Sequence, residues 1–396
     1  MNGNRSQVSL LTAGRDRPYA LGLAGALAGA GVAFDFVGSD EVDSPELHGS
    51  PQIHFLNLRG DQSVAAGMAK KMTRVLAYYG RLIRYACTAR PKVFHVLWNN
   101  KFELFDRTLL MLFYKLLGKK IVFTAHNVNA RARDGGDSFL NRVTLKFQYH
   151  RCDHIFLHTE RMKAELITGF DVPASKTTVI PFGLNSTVPD TELTPDGARR
   201  RLGLGPREKV LLFFGNIAPY KGVEYLVDAF LEIARRGADY RLIIAGRPKG
   251  NEEYWGSLKE KIEASGFPDR FILRIEFVPD AETEVYFKAA DVLILPYTHI
   301  FQSGVLFLGY NFGLPAIAAD VGALREEIVE GRTGQVFPPR DTAGLVRAIE
   351  RYFAGELYAD LKNRRQDIRE FARKRYAWSE VARITAGVYA RLAGIG

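Results

Sequence analysis

The sequence predicts an α/β protein made of two doubly wound domains that face a central cleft. The first observation is length, because 396 residues favour two domains over one. The second is a repeated alternation of apolar runs with helical segments, which implies parallel sheets covered by helices on both faces. The third is composition, since 47% hydrophobic residues are enough for a sizeable core.

The first half of the chain contains six short apolar runs that end in polar or turn residues. A polar loop (Gly14–Tyr19) and a helix of small residues (Ala20–Ala30) join the first two runs. We predict strands at Val8–Thr12, Val32–Val37, Val93–Leu97, Lys120–Thr124, His154–His158 and Thr178–Pro181. Residues 1–188 are therefore predicted to form an N-terminal domain.

A second alternating series follows a stretch that contains proline, threonine and glycine, Ser186–Arg207. We interpret its first part as a linker, with a short helix at Pro195–Leu202. Further strands are predicted at Val210–Phe214, Leu242–Ala245, Ile272–Phe277, Val292–Pro296, Ala316–Ala319 and Gln335–Phe337. Helices are predicted to begin near Gly222, Glu252, Asp280, Ser303 and Thr342, with Pro279 and Asp280 as a turn and N-cap. The second domain then spans 189–370, before a basic helical tail at 371–396.

Two strand–turn–helix corners in the second domain carry the main chemical signal. Val210–Gly222 reads VLLFFGNIAPYKG, and Gln302–Gly322 reads QSGVLFLGYNFGLPAIAADVG. In the first corner, Gly215 lets the backbone approach a ligand and Lys221 adds a cation. In the second, Ser303 is expected to cap a helix whose first N–H groups face the same crevice. This combination suits a diphosphate. Taken separately, Gly215 is also explained by a tight turn, Lys221 by a solvated lysine, and Ser303 by an ordinary capped helix.

These corners resemble the nucleotide-sugar half of GT-B glycosyltransferases of the family 4 type, which consist of two Rossmann-like domains. The resemblance extends over most of Val8–Leu392 and is more specific in the second domain. It implies a retaining hexosyltransferase of polysaccharide or glycolipid assembly. It also implies that the last helix, near Trp378–Leu392, crosses back onto the first domain.

The resemblance and the local sequence together predict the site residues. His126, at the end of a strand in FTAHNVN, resembles the family histidine that contacts the donor sugar, and Lys221 matches the lysine that holds the diphosphate; both are predicted to be catalytic. Donor-binding residues are predicted at Gly215, Asn216, Lys221, Gly246, Arg247, Gln302, Ser303, Gly304, Val305, Leu306 and Glu326. Acceptor-binding residues are predicted at Gly14, Arg15, Asp16, Arg17 and His158. A charged surface loop is the alternative for residues 14–17, and a hydrogen-bonded structural histidine is the alternative for His126 and His158.

The chain departs from the family pattern at one place in the second corner. The family usually has two glutamates eight positions apart, and those positions hold Ile300 and Leu308 here. Either Gln302, Arg247 and Glu326 replace them, or the chain belongs to a QSGV-type subgroup with altered donor contacts. We favour the subgroup.

The implied reaction moves a sugar from a UDP- or GDP-linked donor to a hydroxyl of a saccharide or lipid-linked acceptor. The leaving diphosphate is expected to accept the proton of the incoming hydroxyl, with electrostatic stabilisation as the main catalytic effect. No Asp-x-Asp triplet occurs, so neither a metal nor another cofactor is expected. The competing classes are a nucleotide-sugar epimerase, a glycoside phosphorylase and a non-catalytic nucleotide-sugar-binding relative.

Charge predicts a further partner. The net charge is +10, and the segment from Gln62 to Phe102 contains no Asp or Glu. We expect Met72–Ala86 to form a helix with one apolar and one basic face, which is either an ordinary domain helix or a surface for anionic lipid. The predicted membrane contacts are Lys70, Lys71, Arg74, Arg81 and Arg84. Nucleic acid is not expected as a partner, because no nucleic-acid-binding motif is recognised in the sequence.

The sequence also predicts a cytoplasmic location, peripheral to the membrane where the basic segment binds it. No run of 18 apolar residues occurs, and the N-terminus has no signal-peptide core. Two cysteines, Cys87 and Cys152, fit a reducing compartment.

Overall fold

The computed structural model describes residues 6–14, 16–63, 67–129, 131, 136–184, 188–237 and 239–394. The described residues form two parallel sheets. Their strands are β1 (Val8–Leu11), β2 (Phe34–Gly38), β3 (Ile53–Asn57), β4 (Val93–Val96), β5 (Lys120–Thr124), β6 (His154–Leu157), β7 (Thr177–Val179), β8 (Lys209–Phe214), β9 (Tyr240–Ala245), β10 (Phe271–Arg274), β11 (Val292–Leu295), β12 (Ala316–Ala319) and β13 (Gly334–Phe337).

Helices cover these sheets. They are α1 (Arg17–Gly29), α2 (Pro45–His48), α3 (Met68–Thr88), α4 (Glu103–Phe105), α5 (Met111–Leu116), α6 (Phe139–Arg151), α7 (Glu160–Phe170), α8 (Pro195–Arg201), α9 (Val223–Arg235), α10 (Glu252–Glu263), α11 (Asp280–Ala289), α12 (Gly304–Asn311), α13 (Leu324–Glu327), α14 (Thr342–Ala354), α15 (Glu356–Ala359), α16 (Leu361–Arg375) and α17 (Trp378–Ala393). A π-helical turn (Asp106–Leu110) joins α4 to α5. Among the described residues, no helix is both long and apolar enough to cross a bilayer.

The chain divides into two compact units, Met1–Gly183 with Tyr376–Gly396 (unit 1) and Leu184–Arg375 (unit 2). Each unit contains one parallel sheet, with strand orders β3-β2-β1-β4-β5-β6-β7 and β10-β9-β8-β11-β12-β13. The order reverses between β1 and β4 in unit 1, and between β8 and β11 in unit 2. Ligands of such sheets bind outside the carboxyl ends of the strands at this reversal point. The predicted class, two doubly wound α/β domains, is confirmed.

The C-terminal helix α17 is part of the core of unit 1. Its first residue, Trp378, lies so close to two glycines that a Cβ at Gly22 would be 2.3 Å from the indole, and one at Gly183 would be 2.4 Å from it. Near the other end of α17, the Tyr389 hydroxyl hydrogen-bonds Nδ1 of buried His95. The helix is therefore held by ring packing at its start and by a buried polar pair near its end.

Three local predictions differ from the structure. The sequence reading missed β3, an edge strand whose mixed, half-exposed residues do not form an apolar run. Asp280 is the first residue of α11 rather than its N-cap, which is Pro279. In α3, Met72, Leu76 and Ile83 are exposed while Tyr78 is buried, so the buried face is rotated from the predicted one. Tyrosine hydroxyls explain this difference, because Tyr78 donates to Asn100 inside the unit.

Candidate functional site

The carboxyl ends of β8 and β9 form a tight corner of backbone in unit 2. Gly215 follows β8 with φ 113°, and Gly246 follows β9 with φ 152°, both in the region that favours glycine. A Cβ at Gly246 would be 1.7 Å from the Gly215 carbonyl oxygen, and one at Gly222 would be 2.0 Å from that of Pro296. Backbone therefore packs against backbone here, and no larger residue fits at Gly222 or Gly246 without displacement.

Lys221 lies at the same corner and is buried. It ends a 3₁₀ turn (Pro219–Lys221), and only 7% of the residue is exposed. Its Nζ lies 3.8 Å from the ring centroid of Tyr297, which follows β11. The face of an aromatic ring attracts a cation, and a positive charge in a region of low dielectric acts strongly on a nearby anion.

The N-terminus of α12 meets this corner through the same tyrosine. The Tyr297 hydroxyl lies 3.3 Å from Ser303 Oγ, and a Cβ at Gly215 would lie 3.5 Å from Val305. Ser303 occupies the N-cap position, but its side chain does not cap the helix, so that prediction was wrong. The amide of Leu306 already donates to the Ser303 carbonyl at 3.1 Å, whereas Gly304 and Val305 provide the first amides of α12, at the positive end of the helix dipole.

Gln302 lies just before this helix and has unsatisfied polar atoms. Both Oε1 and Nε2 are buried, and neither makes a hydrogen bond with the described residues. A buried amide without partners costs about 1–3 kcal/mol for each orphaned group, which a bound ligand would relieve.

The other predicted donor residues of unit 2 are less enclosed. Asn216 and Arg247 are exposed at the two corners, and the Arg247 guanidinium lies 5.4 Å from the Phe277 ring. The backbone fixes their loops, because Ile217 N donates to Arg247 O at 2.9 Å. Glu326 is exposed on the short helix α13, whereas Leu306 is buried inside α12.

In unit 1, His126 follows β5 and lies in an aromatic cluster. Its ring stacks on Trp98 with centroids 4.4 Å apart and planes 1° apart, and Tyr19 meets it edge-on at 4.6 Å. Burial lowers the pKa of His126 well below its usual value, and nearby His158 lowers it further. His126 is therefore neutral in the physiological pH range.

The hydrogen bonds around His126 assign its tautomer. His158 Nδ1 faces the Ile180 carbonyl at 3.4 Å, and a carbonyl only accepts, so His158 carries its proton on Nδ1. His158 Nε2 is then an acceptor for the Nδ1–H of His126, 3.2 Å away. This leaves His126 Nε2 as a lone-pair acceptor, and it has no hydrogen-bond partner among the described residues. Burial also lowers the pKa of His158 to about 4.

The loop between β1 and α1 contains the other predicted acceptor residues. Ala13, Gly14 and Asp16 all have positive φ, of 52°, 63° and 45°. Asp16 caps α1 by accepting from Tyr19 N, and Arg17 is the exposed first residue of that helix. Arg15 lies outside the described residues. Strained loops of this kind are common at binding sites.

The predicted basic surface on α3 is only partly exposed to solvent. Lys70 and Arg84 are exposed, but Arg74 is half-buried and forms an ion pair of 2.6 Å with Asp61. Arg81 is exposed, and it donates to the Leu58 carbonyl. Lys71 lines a cavity with Arg74. The five residues therefore do not act as one solvated face.

Two family descriptions match the chain, one in each unit. "Glycosyltransferase Family 4" matches residues 18–188, and "Glycosyl transferases group 1" matches residues 208–354. The chain belongs to the GT-B glycosyltransferases of the family 4 type.

Curated relatives and solved structures agree with this family. A D-inositol 3-phosphate glycosyltransferase of Corynebacterium glutamicum is 26% identical over 66% of this chain and 64% of its own length. An alpha-D-kanosaminyltransferase of Streptomyces kanamyceticus is 29% identical over 50% of each chain. The chain thus spans about half to two thirds of the length of the curated relatives it matches.

Solved structures show the same fold. A sucrose-phosphate synthase from Thermosynechococcus elongatus superposes with a TM-score of 0.77, at 20% identity over 99% of this chain and 100% of that one. Anabaena HepE, solved in complex with UDP-glucose, gives a TM-score of 0.72 at 15% identity, over 96% of this chain and 99% of that one.

The family glutamate positions are apolar and buried in this chain. Ile300 and Leu308 are each about nine-tenths buried, at 8% and 7% exposure. The Ile300 carbonyl would lie 2.0 Å from a Cβ at Gly322, so its loop packs against the turn after β12. The predicted substitutes Arg247 and Glu326 are exposed, whereas Gln302 has buried atoms in need of a partner.

Sequence reasoning missed the aromatic side chains that hold the two predicted catalytic residues. Tyr297 supports Lys221, while Trp98 and Tyr19 enclose His126. Tyr297 and Trp98 directly follow strand segments, which is the signal that would have found them.

Proposed function

We propose that this protein transfers a sugar, with retention, from a UDP- or GDP-linked donor to a hydroxyl of a saccharide or lipid-linked acceptor. The observation that carries the proposal is the meeting of buried Lys221 with the uncapped N-terminus of α12 at Tyr297. Two positive centres at the reversal point of one sheet favour a diphosphate. The family membership and the description of HepE as bound to UDP-glucose support the same substrate class.

The donor diphosphate would occupy the corner of unit 2. Gly215 and Gly246 let the backbone approach it, Lys221 balances its charge, and the amides of Gly304 and Val305 donate to its oxygens. The predicted third amide, that of Leu306, already donates to the Ser303 carbonyl. The orphaned amide of Gln302 provides one donor and one acceptor for the sugar or the distal phosphate. Lys221 is catalytic in this scheme because it stabilises the charge that grows on the leaving diphosphate.

Transfer breaks the bond between the anomeric carbon and the diphosphate oxygen and forms one to the acceptor oxygen on the same face. The hydroxyl proton passes to the departing diphosphate oxygen. Neutral His126 offers the lone pair of Nε2 to a donor-sugar hydroxyl, which orients the sugar without exchanging a proton. In this scheme Lys221 and the amides of α12 offset the charge of the leaving diphosphate, so that no metal or other cofactor takes part.

Nucleotide binding and turnover test the proposal. A ligand that binds the folded state raises the melting temperature, so one of the UDP-, GDP- or ADP-sugars is expected to stabilise the protein. Lys221→Met is expected to abolish this shift and to lower turnover about 10²–10³-fold. Lys259→Met, which changes an exposed lysine on α10, serves as the control.

Normal turnover of Lys221→Met would reject the donor assignment. Conversion of the sugar nucleotide without any acceptor would favour an epimerase instead. Release of a sugar phosphate with inorganic phosphate would favour a phosphorylase.

We further propose that unit 1 docks on an anionic bilayer, so that a lipid-linked acceptor is accessible. Eleven of the fourteen large apolar side chains that are exposed among the described residues lie in unit 1, all between Met68 and Val143. On α3, Met68, Met72 and Leu76 are exposed at a spacing of four residues, and the same helix exposes the cations Lys70 and Arg84. Exposed apolar residues on a helix that also presents lysine and arginine are typical of helices that lie in the membrane interface.

Sedimentation with phosphatidylserine vesicles tests the docking surface. The protein is expected to pellet at low salt and less at high salt, because each basic group contributes roughly 1 kcal/mol. Met72→Ser combined with Leu76→Ser is expected to reduce pelleting, whereas Leu273→Ser combined with Val329→Ser, on unit 2, is not. Absence of pelleting at low salt would contradict the proposal.

A further inference from the structure

Unit 1 contains a cavity of about 270 Å³ at the carboxyl edge of its sheet. Its walls come from the turn after β3, from α3 and from the segment after β4. The side chains that matter for its chemistry are Arg59, Asp61, Lys71, Arg74, Tyr78 and Lys101. The volume is near the lower end of the range for small-molecule sites, roughly 300–1,000 Å³.

The lining of this cavity is strongly cationic. It contains four basic side chains and one acid, Asp61, which is already paired with Arg74 at 2.6 Å. The positive charges of Arg59, Lys71 and Lys101 are not matched by another carboxylate in the lining. Three positive charges in one concave wall raise the local concentration of anions.

Two guanidinium groups of the cavity have unsatisfied donors. Nη1 of Arg59 and Nη1 of Arg74 are buried and make no hydrogen bond with the described residues. The plane of Arg59 is supported by Tyr78, whose ring centroid is 5.0 Å from its Cζ. Fixed N–H groups of arginine match the oxygens of a phosphate, and donors left without partners cost about 1–3 kcal/mol each.

The cavity adjoins the loop for which we predicted acceptor binding. Gln62, another lining residue, donates from Nε2 to the Gly14 carbonyl at 2.9 Å. The backbone N–H of Gln62 also donates to the Glu41 carboxylate. The cavity is thus part of the same edge of the sheet as the strained loop after β1.

We propose that this cavity is a subsite for a phosphate group on the acceptor, so that the acceptor is an anionic hydroxyl compound. The inference rests on the proposed function, and it adds the charge class of the acceptor. The phosphate is either a lipid headgroup or part of a soluble molecule, since the same donors fit both.

Titration calorimetry at low ionic strength, which measures the binding of phenyl phosphate, tests the proposal. Lys71→Gln combined with Lys101→Gln removes two cations from the cavity and is expected to weaken binding at least about tenfold. The matched control is Lys92→Gln combined with Lys146→Gln, which removes the same charge from exposed positions of unit 1 outside the cavity and is expected to bind like the wild type. Circular dichroism melting checks that both double variants are folded.

One further variant distinguishes binding in the cavity from binding at the donor site of unit 2. Lys221→Met is expected to keep phenyl phosphate binding if the cavity is the site. Binding that is lost in Lys221→Met but kept in the cavity variant would overturn the inference and leave the donor assignment supported. No binding by the wild type would also overturn it, whatever the outcome of the nucleotide experiments.

Vesicles distinguish the two sources of the phosphate. If phosphatidic acid in phosphatidylcholine vesicles increases pelleting, and phenyl phosphate reverses that increase, a lipid headgroup occupies the cavity. If phenyl phosphate binds but does not affect pelleting, the acceptor phosphate is soluble. Either result supports the anion subsite.

Discussion

The two sheets share a topology, but the glycines at their carboxyl edges pack against backbone in unit 2 and against side chains in unit 1. In unit 2 the edge consists of backbone: Gly222 touches the Pro296 carbonyl, and Gly246 touches that of Gly215. In unit 1, Gly14, which follows the central strand β1, meets the side chains of Gln62 and Ser39. Backbone cannot be exchanged without changing the fold, whereas side chains can. A fixed diphosphate site and an adjustable acceptor site are therefore compatible with one repeated architecture.

The two units also differ in what they expose. Unit 1 presents a cluster of apolar side chains between Met68 and Val143, together with a cationic cavity. Unit 2 exposes Leu273, Phe277 and Val329 as its large apolar side chains within the described residues. The difference supports our proposal that unit 1 contacts the membrane and the acceptor.

Substitution of the corner glycines is expected to give the largest contrast between the units. Gly222→Ala combines a left-handed φ of 62° with a backbone clash, so we expect it to destabilise unit 2 by about 3–5 kcal/mol. Gly14→Ala has a similar φ but meets side chains rather than backbone, so we expect a loss of about 1–2 kcal/mol. Urea unfolding, with hydrogen exchange to identify the unit that opens, measures both.

Gly256→Ala is the control for the glycine comparison. Gly256 lies within α10, and a Cβ there meets no atom within 4 Å, so a gain of about 0.5–1 kcal/mol is expected. Equal losses for Gly222→Ala and Gly14→Ala would remove the distinction between a backbone corner and a side-chain corner.

Acid is expected to destabilise unit 1 more than unit 2. Burial lowers the pKa of His95 to about 3, and those of His154 and His158 to about 4. These folded-state values lie below the unfolded value of about 6.5, so the unfolded chain binds more protons as the pH falls below that value. Stability is therefore full above about pH 6.5, and each histidine is expected to remove about 2 kcal/mol by pH 5.

Unit 2 contains a single histidine, His299. Limited proteolysis at neutral and acidic pH, with the cleavage sites mapped by mass spectrometry, measures which unit opens first. His95→Gln is expected to reduce the pH dependence while lowering stability at neutral pH, because Thr124 and Tyr389 lose a partner. Acid-induced opening of unit 2 before unit 1 would contradict this assignment.

The smallest expected effect is that of the residue that positions His126. His158→Phe keeps a ring against Tyr19 and Phe182 but removes the hydrogen bond that fixes the tautomer of His126. We expect kcat to fall about tenfold, about 1.4 kcal/mol, with little change in the KM for the donor. His154→Phe, which changes a buried histidine on β6 just upstream of His158, is the control.

A double-mutant comparison decides whether His158 acts through His126. In a His126→Ala background, His158→Phe is expected to cause no further loss of kcat. An additional tenfold loss would show that His158 acts on its own.

The sequence determined the strands with continuous apolar runs, because buried parallel strands must be apolar on both faces. It did not reveal β3, whose edge position leaves its residues half exposed. It predicted that Gly215, Lys221 and the start of α12 lie close together, since corners at the ends of neighbouring strands meet in a parallel sheet, and the structure places them so.

The tertiary structure decided what those residues touch. That Tyr297 joins Lys221 to Ser303, that Trp98 stacks on His126 and that Arg59 joins Lys71 in a cavity depends on side chains distant in sequence. Periodicity within α3 also failed to give its buried face, because Tyr78 and Arg74 are drawn inwards by partners on other segments. Local patterns fix the backbone, whereas polar contacts between distant segments are set only when the chain has packed.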